Sequence, residues 1–155
     1  MLKEGQAAPA FVLPDADLEM VDLSQYLGKT KLILFFYPKD GSPHCTLEVT
    51  DFSDHEDEFS RLGCTVIGIN RDDCFRHADF RDEHGIAIRL LSDTEGTVCK
   101  QYGVWQMKEV DGVKRHCIVR STFVIDNQGV LRHVLYGVNA KGHVREILHT
   151  VKELH

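Results

Sequence analysis

Apolar residues along the chain fall into short runs that predict the strands of a sheet. The run over 30–37 is continuous, rich in aromatic residues and ends at Pro38, as expected for a strand buried on both faces. Four further segments have the length and composition of strands, the last two forming a hairpin. They are 64–69, 86–91, 118–126 and 130–136. Near the N-terminus, short segments on either side of 15–17 predict a separate β-hairpin.

The helix after the first buried strand has recognisable ends. Ser42 and Pro43 predict its start, as N-cap and first helical residue, and the helix is expected to run to about Leu62 and stop at Gly63. Its acidic stretch over 51–59 is interpreted as a solvated helix face.

Three more helices follow in the sequence. The second begins after Asp72 or Asp73 and ends at Gly85, the third covers 95–102, and helical spacing of apolar residues predicts a final amphipathic helix over 144–154. The order β-α-β-α-β-α-β-β-α predicts an α/β fold with a central mixed sheet flanked by helices. This order is compatible with a thioredoxin-like fold but does not single it out.

The composition is that of a globular protein, with 43% hydrophobic and 27% charged residues. With 155 residues, the chain is expected to form a single domain over 1–155. The formal net charge of −6, without a local cluster of Lys and Arg, argues against nucleic acid binding. The longest apolar stretch is too short to cross a membrane and the N-terminus lacks a signal-peptide pattern, so we expect a cytoplasmic protein.

The five cysteines are Cys45, Cys64, Cys74, Cys99 and Cys117. Their number is odd and no two form Cys-x-x-Cys, which argues against a disulfide framework and against a tetrathiolate zinc site. We therefore expect no metal and no cofactor, and most of these thiols should pack as small apolar side chains.

Cys45 differs from the other cysteines in its predicted position. It falls in the first turn of the helix that begins at Ser42, directly after a buried strand. Unpaired backbone N–H groups and the helix dipole stabilise negative charge there by about 0.3–1 kcal/mol, and by up to about 2 kcal/mol when the site is partly buried. The position favours a reactive thiolate, although simple packing in the first turn remains the alternative on position alone.

Two stretches of the chain resemble motifs of the peroxiredoxins. Pro38-x-x-x-Ser42-x-x-Cys45 is similar to the Pro-x-x-x-Thr/Ser-x-x-Cys signature of that family, and residues 36–40 resemble the subgroup called bacterioferritin comigratory protein or peroxiredoxin Q. Residues 120–126 resemble the strand that carries the family's essential arginine. Further similarity covers almost the whole chain, including residues 5–14, 90–93 and 102–105.

The resemblance implies a thioredoxin-like fold and a thiol-dependent peroxidase without a cofactor. The thiolate of Cys45 would attack hydrogen peroxide or an alkyl hydroperoxide and become a sulfenic acid. Arg120 would hold the thiolate and polarise the peroxide, Ser42 would donate its hydroxyl to the peroxide, and Pro38 would shield the sulfur from water. The resemblance also implies antioxidant defence in the bacterial cytoplasm, reduction by thioredoxin or a similar thiol, and a monomer or weak dimer.

The chain departs from the subgroup at both positions where its members carry a resolving cysteine. Thr50 stands five residues after Cys45, and Arg81 stands at the alternative position on the following helix. Cys74, two turns before Arg81 on roughly the same face, is the first candidate for a resolving thiol. Its use would require unwinding around Cys45, because bridged cysteines need Cα atoms within about 7 Å. Reduction by an external thiol, with no internal partner, is equally open.

Two rival functions share part of this pattern. A thiol–disulfide oxidoreductase of thioredoxin type also places a cysteine at a helix start. Such an enzyme needs Cys-x-x-Cys and a cis-proline on the strand that faces it. This chain has no Cys-x-x-Cys, and residues 120–122, which contain no proline, occupy the facing strand. A metal-binding protein could use Cys74 and His77, yet this i, i+3 pair supplies two ligands where zinc needs three or four. We therefore interpret the chain as a peroxidase, and His77 as part of a solvated helix face.

Overall fold

The computed structural model describes residues 1–154, which form a central mixed sheet with helices on its faces. The strands in this part of the chain are β1 (Val12–Pro14), β2 (Met20–Asp22), β3 (Lys31–Phe36), β4 (Cys64–Asn70), β5 (Arg89–Ser92), β6 (Trp105–Val110), β7 (Val113–Ile118), β8 (Ser121–Ile125) and β9 (Leu131–Tyr136). The α-helices are α1 (Pro43–Asp54), α2 (Glu56–Arg61), α3 (Cys74–His84), α4 (Thr97–Gln101) and α5 (His143–Lys152). None of the helices within residues 1–154 has the length and apolar character needed to cross a membrane.

The five-stranded sheet has the order β5-β4-β3-β8-β9. β3, β4 and β5 are parallel to one another, whereas β8 runs antiparallel to β3, and β9 antiparallel to β8. Because parallel strands end on the same edge of a sheet, the segments after β3, β4 and β5 meet there, beside the start of β8. This edge gathers the segments that contain Cys45, Cys74 and Arg120. The predicted mixed sheet and the N-terminal β1–β2 hairpin are confirmed.

The side chains of β3 alternate between two cores. Leu32, Leu34 and Phe36 contribute to the core covered by α4 and the N-terminal hairpin. Ile33 and Phe35 contribute to the core covered by α1, α2, α3 and α5. A strand whose two faces are both buried reads as a continuous apolar run, which is why β3 was recognisable in the sequence.

The predicted single helix from Ser42 to Leu62 is wrong in one respect, because the structure divides it at His55 into α1 and α2. The ring nitrogen Nδ1 of His55 lies 2.8 Å from the carbonyl oxygen of Asp51. A side chain that bonds to the carbonyl four residues earlier competes with the helical hydrogen-bond ladder and favours a break. The acidic stretch still covers a helix surface, with Phe52 and Phe59 buried beneath it.

The predicted strand over 118–126 is also divided. β7 ends at Ile118 and β8 begins at Ser121, and the N–H of Val119 donates to the carbonyl of Val104 instead of continuing either strand. β7 pairs antiparallel with β6 in a hairpin that the apolar pattern did not predict. The break leaves Arg120 between two strands, with its side chain free to reach the sheet edge.

Candidate active site

Cys45 lies in the first turn of α1, at the edge of the sheet where β3 ends. Ser42 is the N-cap, with extended backbone angles, and Pro43 is the first helical residue, as predicted. The N–H of Thr46 donates to the carbonyl oxygen of Ser42 at 2.8 Å, which closes the first turn. Cys45 is fully buried. Its thiol therefore occupies the helix end at which negative charge is stabilised, shielded from solvent.

Arg120 brings a positive charge to this sulfur. In the register of β3 and β8, Phe36 pairs with Ser121, so Arg120 emerges beside the turn after β3. Its Nη2 donates to Sγ of Cys45 at 3.3 Å, and its Nη1 donates to Oε1 of Glu48 at 2.8 Å. Burial by itself lowers the pKa of Arg120, but Glu48 and Cys45 outweigh this effect, so the pKa lies above its ordinary value. The structure thus places Cys45 and Arg120 in direct contact.

Glu48 is a part of the site that the sequence analysis missed. It lies on α1, three residues after Cys45 and on the same face, and it is fully buried. Burial raises the pKa of Glu48 from 4.5 to about 7, although Arg120 acts in the opposite direction. Within residues 1–154, its Oε2 finds no hydrogen-bond partner. The i, i+3 spacing places Glu48 on the same helix face as Cys45, which was the available signal in the sequence. An acidic side chain on a helix, however, usually indicates a solvated face.

Ser42 and Pro38 flank the turn that carries Cys45. Among the described residues, Ser42 Oγ makes no capping hydrogen bond, and it lies 3.5 Å from the carbonyl oxygen of Lys39, too far for a strong hydrogen bond. The hydroxyl is therefore free to turn toward a ligand. Pro38 is exposed and contributes to a groove of about 390 Å³, which is also lined by Arg71, Trp105, His116 and Cys117.

A buried histidine lies behind Arg120. His143, at the start of α5, packs edge-on against Phe52, and its Nε2 lies 2.7 Å from the hydroxyl of Thr122. Burial lowers the pKa of His143; Glu146 opposes this effect and Arg120 adds to it. A neutral imidazole at this position leaves Arg120 as the cation of the site. The sequence carried no signal for it, since a lone histidine at a helix start is unremarkable.

The four other cysteines are free thiols in different surroundings. Cys74, at the start of α3, borders a groove of about 580 Å³ between α3, β1 and α4. Cys64 and Cys99 are buried, and burial raises the pKa of both thiols, with Asp93 adding to the effect at Cys99. Cys117 is half-buried. Of the cysteines in residues 1–154, only Cys45 contacts Arg120 at the sheet edge.

His77 is fully buried, and its predicted position on a solvated face is wrong. Its Nδ1 lies 2.5 Å from Oδ2 of Asp40 and its Nε2 lies 3.0 Å from the carbonyl oxygen of Leu91. Both ring nitrogens are therefore occupied, which removes the interpretation of Cys74 and His77 as metal ligands. In residues 1–154, no three or more His, Cys, Asp or Glu side chains are grouped to hold a metal ion.

Comparison with known proteins gives consistent matches over nearly the whole chain. A profile of the AhpC/TSA family matches residues 4–134. The chain is 42% identical over 147 residues to the putative peroxiredoxin bcp of Coxiella burnetii, covering 95% of this chain and 97% of that protein. It is 39% identical over 150 residues to peroxiredoxin Bcp of Bacillus subtilis, covering 97% and 95%.

Solved structures match equally well. Peroxidoxin BcpB from Mycobacterium tuberculosis has a TM-score of 0.88 at 31% identity, covering 100% of this chain and 99% of that one. A mutant of Xylella fastidiosa PrxQ has a TM-score of 0.92 at 28% identity, covering 98% and 96%. These neighbours confirm the predicted thioredoxin-like fold. The chain therefore belongs to the AhpC/TSA family, in its Bcp or peroxiredoxin Q group, and is a thiol-dependent peroxidase.

Proposed function

We propose that this peroxidase reduces hydrogen peroxide and organic hydroperoxides through a sulfenic acid on Cys45. The observation that carries the proposal is the guanidinium of Arg120, which contacts both the sulfur of Cys45 and the carboxylate of Glu48. A permanently charged donor in contact with the sulfur can stabilise negative charge there and can hold a peroxide oxygen next to it. Since the thiolate is the nucleophile, this contact supports Cys45 as the attacking residue.

In the first step, Sγ of Cys45 attacks one peroxide oxygen in line with the O–O bond. The S–O bond forms as the O–O bond breaks, so the sulfur is oxidised to a sulfenic acid, and the leaving oxygen departs as hydroxide or alkoxide and takes up a proton. Negative charge moves from the sulfur to the leaving oxygen, and donors that reach both atoms lower the barrier. We assign this role to Arg120, to the N–H groups of the first turn of α1 and to the hydroxyl of Ser42.

Pro38 has a supporting role in this proposal. It lies two residues after the end of the buried strand β3 and fixes the backbone at the beginning of the turn that leads to Ser42 and Cys45. We infer that it shapes the turn and limits the access of bulk water to the sulfur.

The sulfenic acid is then reduced by a thiol from outside the chain. A thiolate attacks Sγ of Cys45, forms a mixed disulfide and releases the oxygen as water after protonation. A second thiol, such as the other cysteine of a thioredoxin-like dithiol, breaks the mixed disulfide and returns Cys45 to the thiolate. Because Cys45 is fully buried, the first turn of α1 must open for this reaction.

Cys74 is the internal alternative to that route. Its thiol borders the groove between α3, β1 and α4, whereas Cys45 packs in the core beneath α1 and α5. At the two positions where the group carries resolving cysteines, Thr50 bonds within its own helix and Arg81 bonds to Asp17 at 2.8 Å. We therefore favour the external thiol and treat Cys74 as the internal partner to be tested.

We further infer that the enzyme serves antioxidant defence in the cytoplasm, as a monomer or weak dimer. Its five cysteines are free, as is usual in a reducing compartment. The relatives named above are bacterial proteins of similar length. Sedimentation of the reduced protein tests the assembly, and a stable higher oligomer would contradict it.

Peroxide turnover tests the proposed function. With thioredoxin, thioredoxin reductase and NADPH, the protein should consume hydrogen peroxide and an alkyl hydroperoxide. Cys45→Ser should abolish this turnover, whereas Cys117→Ser, a change at the half-buried thiol, should preserve it. Full turnover in Cys45→Ser would overturn the assignment.

A further inference from the structure

A cluster of polar side chains, buried except for a partly exposed Asp72, lies between the turn that carries Cys45 and helix α3. We call it the Asp40 cluster; it consists of Tyr37, Asp40, Asn70, Asp72 and His77. Asp40 is 2% exposed, and Tyr37, Asn70 and His77 are completely buried. The first step of the reaction, as proposed above, uses none of these side chains. Buried polar groups are costly unless they are hydrogen-bonded, so the cluster requires an explanation.

The carboxylate of Asp40 is the centre of the cluster. The hydroxyl of Tyr37 donates to Oδ1 at 2.6 Å, and the amide of Asn70 lies 3.4 Å from the same oxygen. Nδ1 of His77 lies 2.5 Å from Oδ2. The backbone N–H of Asp40 donates to Oδ2 of Asp72 at 2.7 Å. Both the side chain and the backbone of Asp40 are thus anchored to residues of neighbouring elements.

His77 connects this carboxylate to the rest of the fold. Its Nε2 lies 3.0 Å from the carbonyl oxygen of Leu91 in β5. Since a carbonyl only accepts, Nε2 carries a proton, and Nδ1 shares a proton with Asp40. Replacing His77 with an apolar residue would leave two buried acceptors, Oδ2 of Asp40 and the carbonyl of Leu91, without these contacts. Losses of this kind are larger than the net value of an ordinary hydrogen bond.

The cluster reaches Cys45 through Tyr37 and through the chain itself. Tyr37 packs in the same buried core as Cys45. Burial, followed by Asp40 and with a smaller effect of Cys45, raises the pKa of Tyr37 well above its ordinary value, so the phenol stays protonated and donates. Only residues 41–44 separate Asp40 from Cys45. A displacement of Asp40 is therefore transmitted to the start of α1.

We propose that His77 is a positioning residue of the peroxidase reaction: through Asp40, it holds the turn before α1 in the folded conformation in which Arg120 contacts Cys45. This inference rests on the proposed role of Cys45. The attack on peroxide requires the folded turn, whereas reduction of the buried sulfenic acid requires the turn to open. Loss of the His77 contacts therefore slows the first step and speeds the second.

Two half-reactions, measured separately, test this role. Peroxide consumption by the reduced enzyme is followed in a single turnover, and dithiothreitol reduces the preformed sulfenic acid in a second experiment. In His77→Leu, the peroxide step should slow by about tenfold or more, because small displacements of reacting groups are costly. The reduction step should accelerate by about threefold or more, as expected when a lost buried hydrogen bond shifts a local opening equilibrium.

Matched variants separate positioning from general destabilisation. His77→Asn keeps a donor near the position of Nδ1 and should recover most of the peroxide rate. Asp40→Ala removes the carboxylate that His77 contacts, so it should shift both steps in the same directions as His77→Leu, and adding His77→Leu to it should cause little further change, because both act through one contact. His84→Asn, a change on the same helix, should leave both steps unchanged. If His77→Leu does not fold, Asp40→Ala and His77→Asn carry the test.

The two half-reactions also distinguish this inference from the proposed function. Equal slowing of both steps, or an unchanged peroxide step in a folded His77→Leu or Asp40→Ala, would overturn the role of His77. Reaction of Cys45→Ser with peroxide at the wild-type rate would instead overturn the role of Cys45. An inactive Cys45→Ser beside an unaffected His77→Leu would remove the positioning role alone.

Discussion

The guanidinium of Arg120 lies 2.8 Å from the buried carboxylate of Glu48 and reaches the sulfur of Cys45 with its other arm. Glu48 and Cys45 are three residues apart on α1, so one helix face presents both the proposed nucleophile and the group that anchors the arginine. Because Glu48 binds Nη1 of Arg120, the other terminal nitrogen, Nη2, is held next to the sulfur. The proposed role of Arg120 therefore depends on Glu48, a residue that need not touch the peroxide.

Replacing the anchor should weaken the peroxide reaction. Glu48→Ala removes the partner that orients Arg120, and we expect the rate constant with hydrogen peroxide to fall by about 10- to 100-fold. Glu48→Gln keeps an oxygen that accepts from the guanidinium, and the fall should be smaller. Stopped-flow measurement of the peroxide step compares the two variants. A Glu48→Ala rate equal to that of the wild type would show that Arg120 needs no anchor.

The same carboxylate predicts how stability depends on pH. Burial raises the pKa of Glu48 from 4.5 to about 7, with Arg120 opposing. The folded protein therefore binds this proton more tightly than the unfolded chain, so the stabilising effect is fully present below pH 4.5 and is lost as pH rises through about 7. The two pKa values differ by about 2.5, which corresponds to roughly 3.5 kcal/mol at about 1.4 kcal/mol per pKa unit.

Glu48→Gln removes this titration and serves as its control. The free energy of unfolding of the wild type, minus that of the variant, should fall by about 2–3 kcal/mol between about pH 5 and pH 8. Urea unfolding of both proteins across this range measures the difference. If the difference in the free energy of unfolding between the two proteins stays constant with pH, the pKa of Glu48 is not raised in the folded protein.

A lysine at position 120 should not restore the peroxide reaction that Arg120 supports. Arg120→Lys keeps the positive charge next to Glu48, so the protein should fold, but a single ammonium group cannot span Glu48 and Cys45 as the planar fork does. We expect the rate constant with peroxide to fall by about 100-fold. Arg132→Lys, a change at a half-exposed arginine on β9, is the matched control. A loss of less than about twofold in Arg120→Lys would argue that charge alone suffices.

Oxidation by one equivalent of peroxide should leave Cys45 as a lone sulfenic acid. Intact-mass and non-reducing peptide analysis should show one added oxygen on the peptide that contains Cys45. Cys74→Ser should give the same product, because we assign the reducing thiol to another molecule. A peptide with Cys45 bonded to Cys74 would demonstrate the internal route instead.

The centre of the main sheet could be predicted from the sequence because β3, β4 and β8 are buried on both faces and appear as apolar runs. The β6–β7 hairpin could not be predicted in this way, since most of its side chains are exposed and lack an apolar alternation. Its one signal was Asp111-Gly112, whose positive φ angles fit a tight hairpin turn.

The active site was predictable only where its residues form a sequence motif. The positions of Cys45 and Arg120 follow from such motifs, and the structure brings the two residues together. Glu48 and His77 lie on helices whose polar composition predicts solvated faces. Their burial depends on partners distant in sequence, 72 residues away for Glu48 and 37 for His77, which local patterns do not record. Contacts with residues distant in the sequence therefore determine the burial of both side chains.

The central claim is that the sulfur of Cys45 attacks the peroxide. Its most direct test is a single turnover of the reduced enzyme with hydrogen peroxide in the presence of a sulfenic acid-specific probe, in the wild type, Cys45→Ser and Cys117→Ser. We predict that the wild type and Cys117→Ser consume one peroxide per chain and are labelled at Cys45, whereas Cys45→Ser does neither. Undiminished peroxide consumption by Cys45→Ser, or labelling at another cysteine, would contradict it.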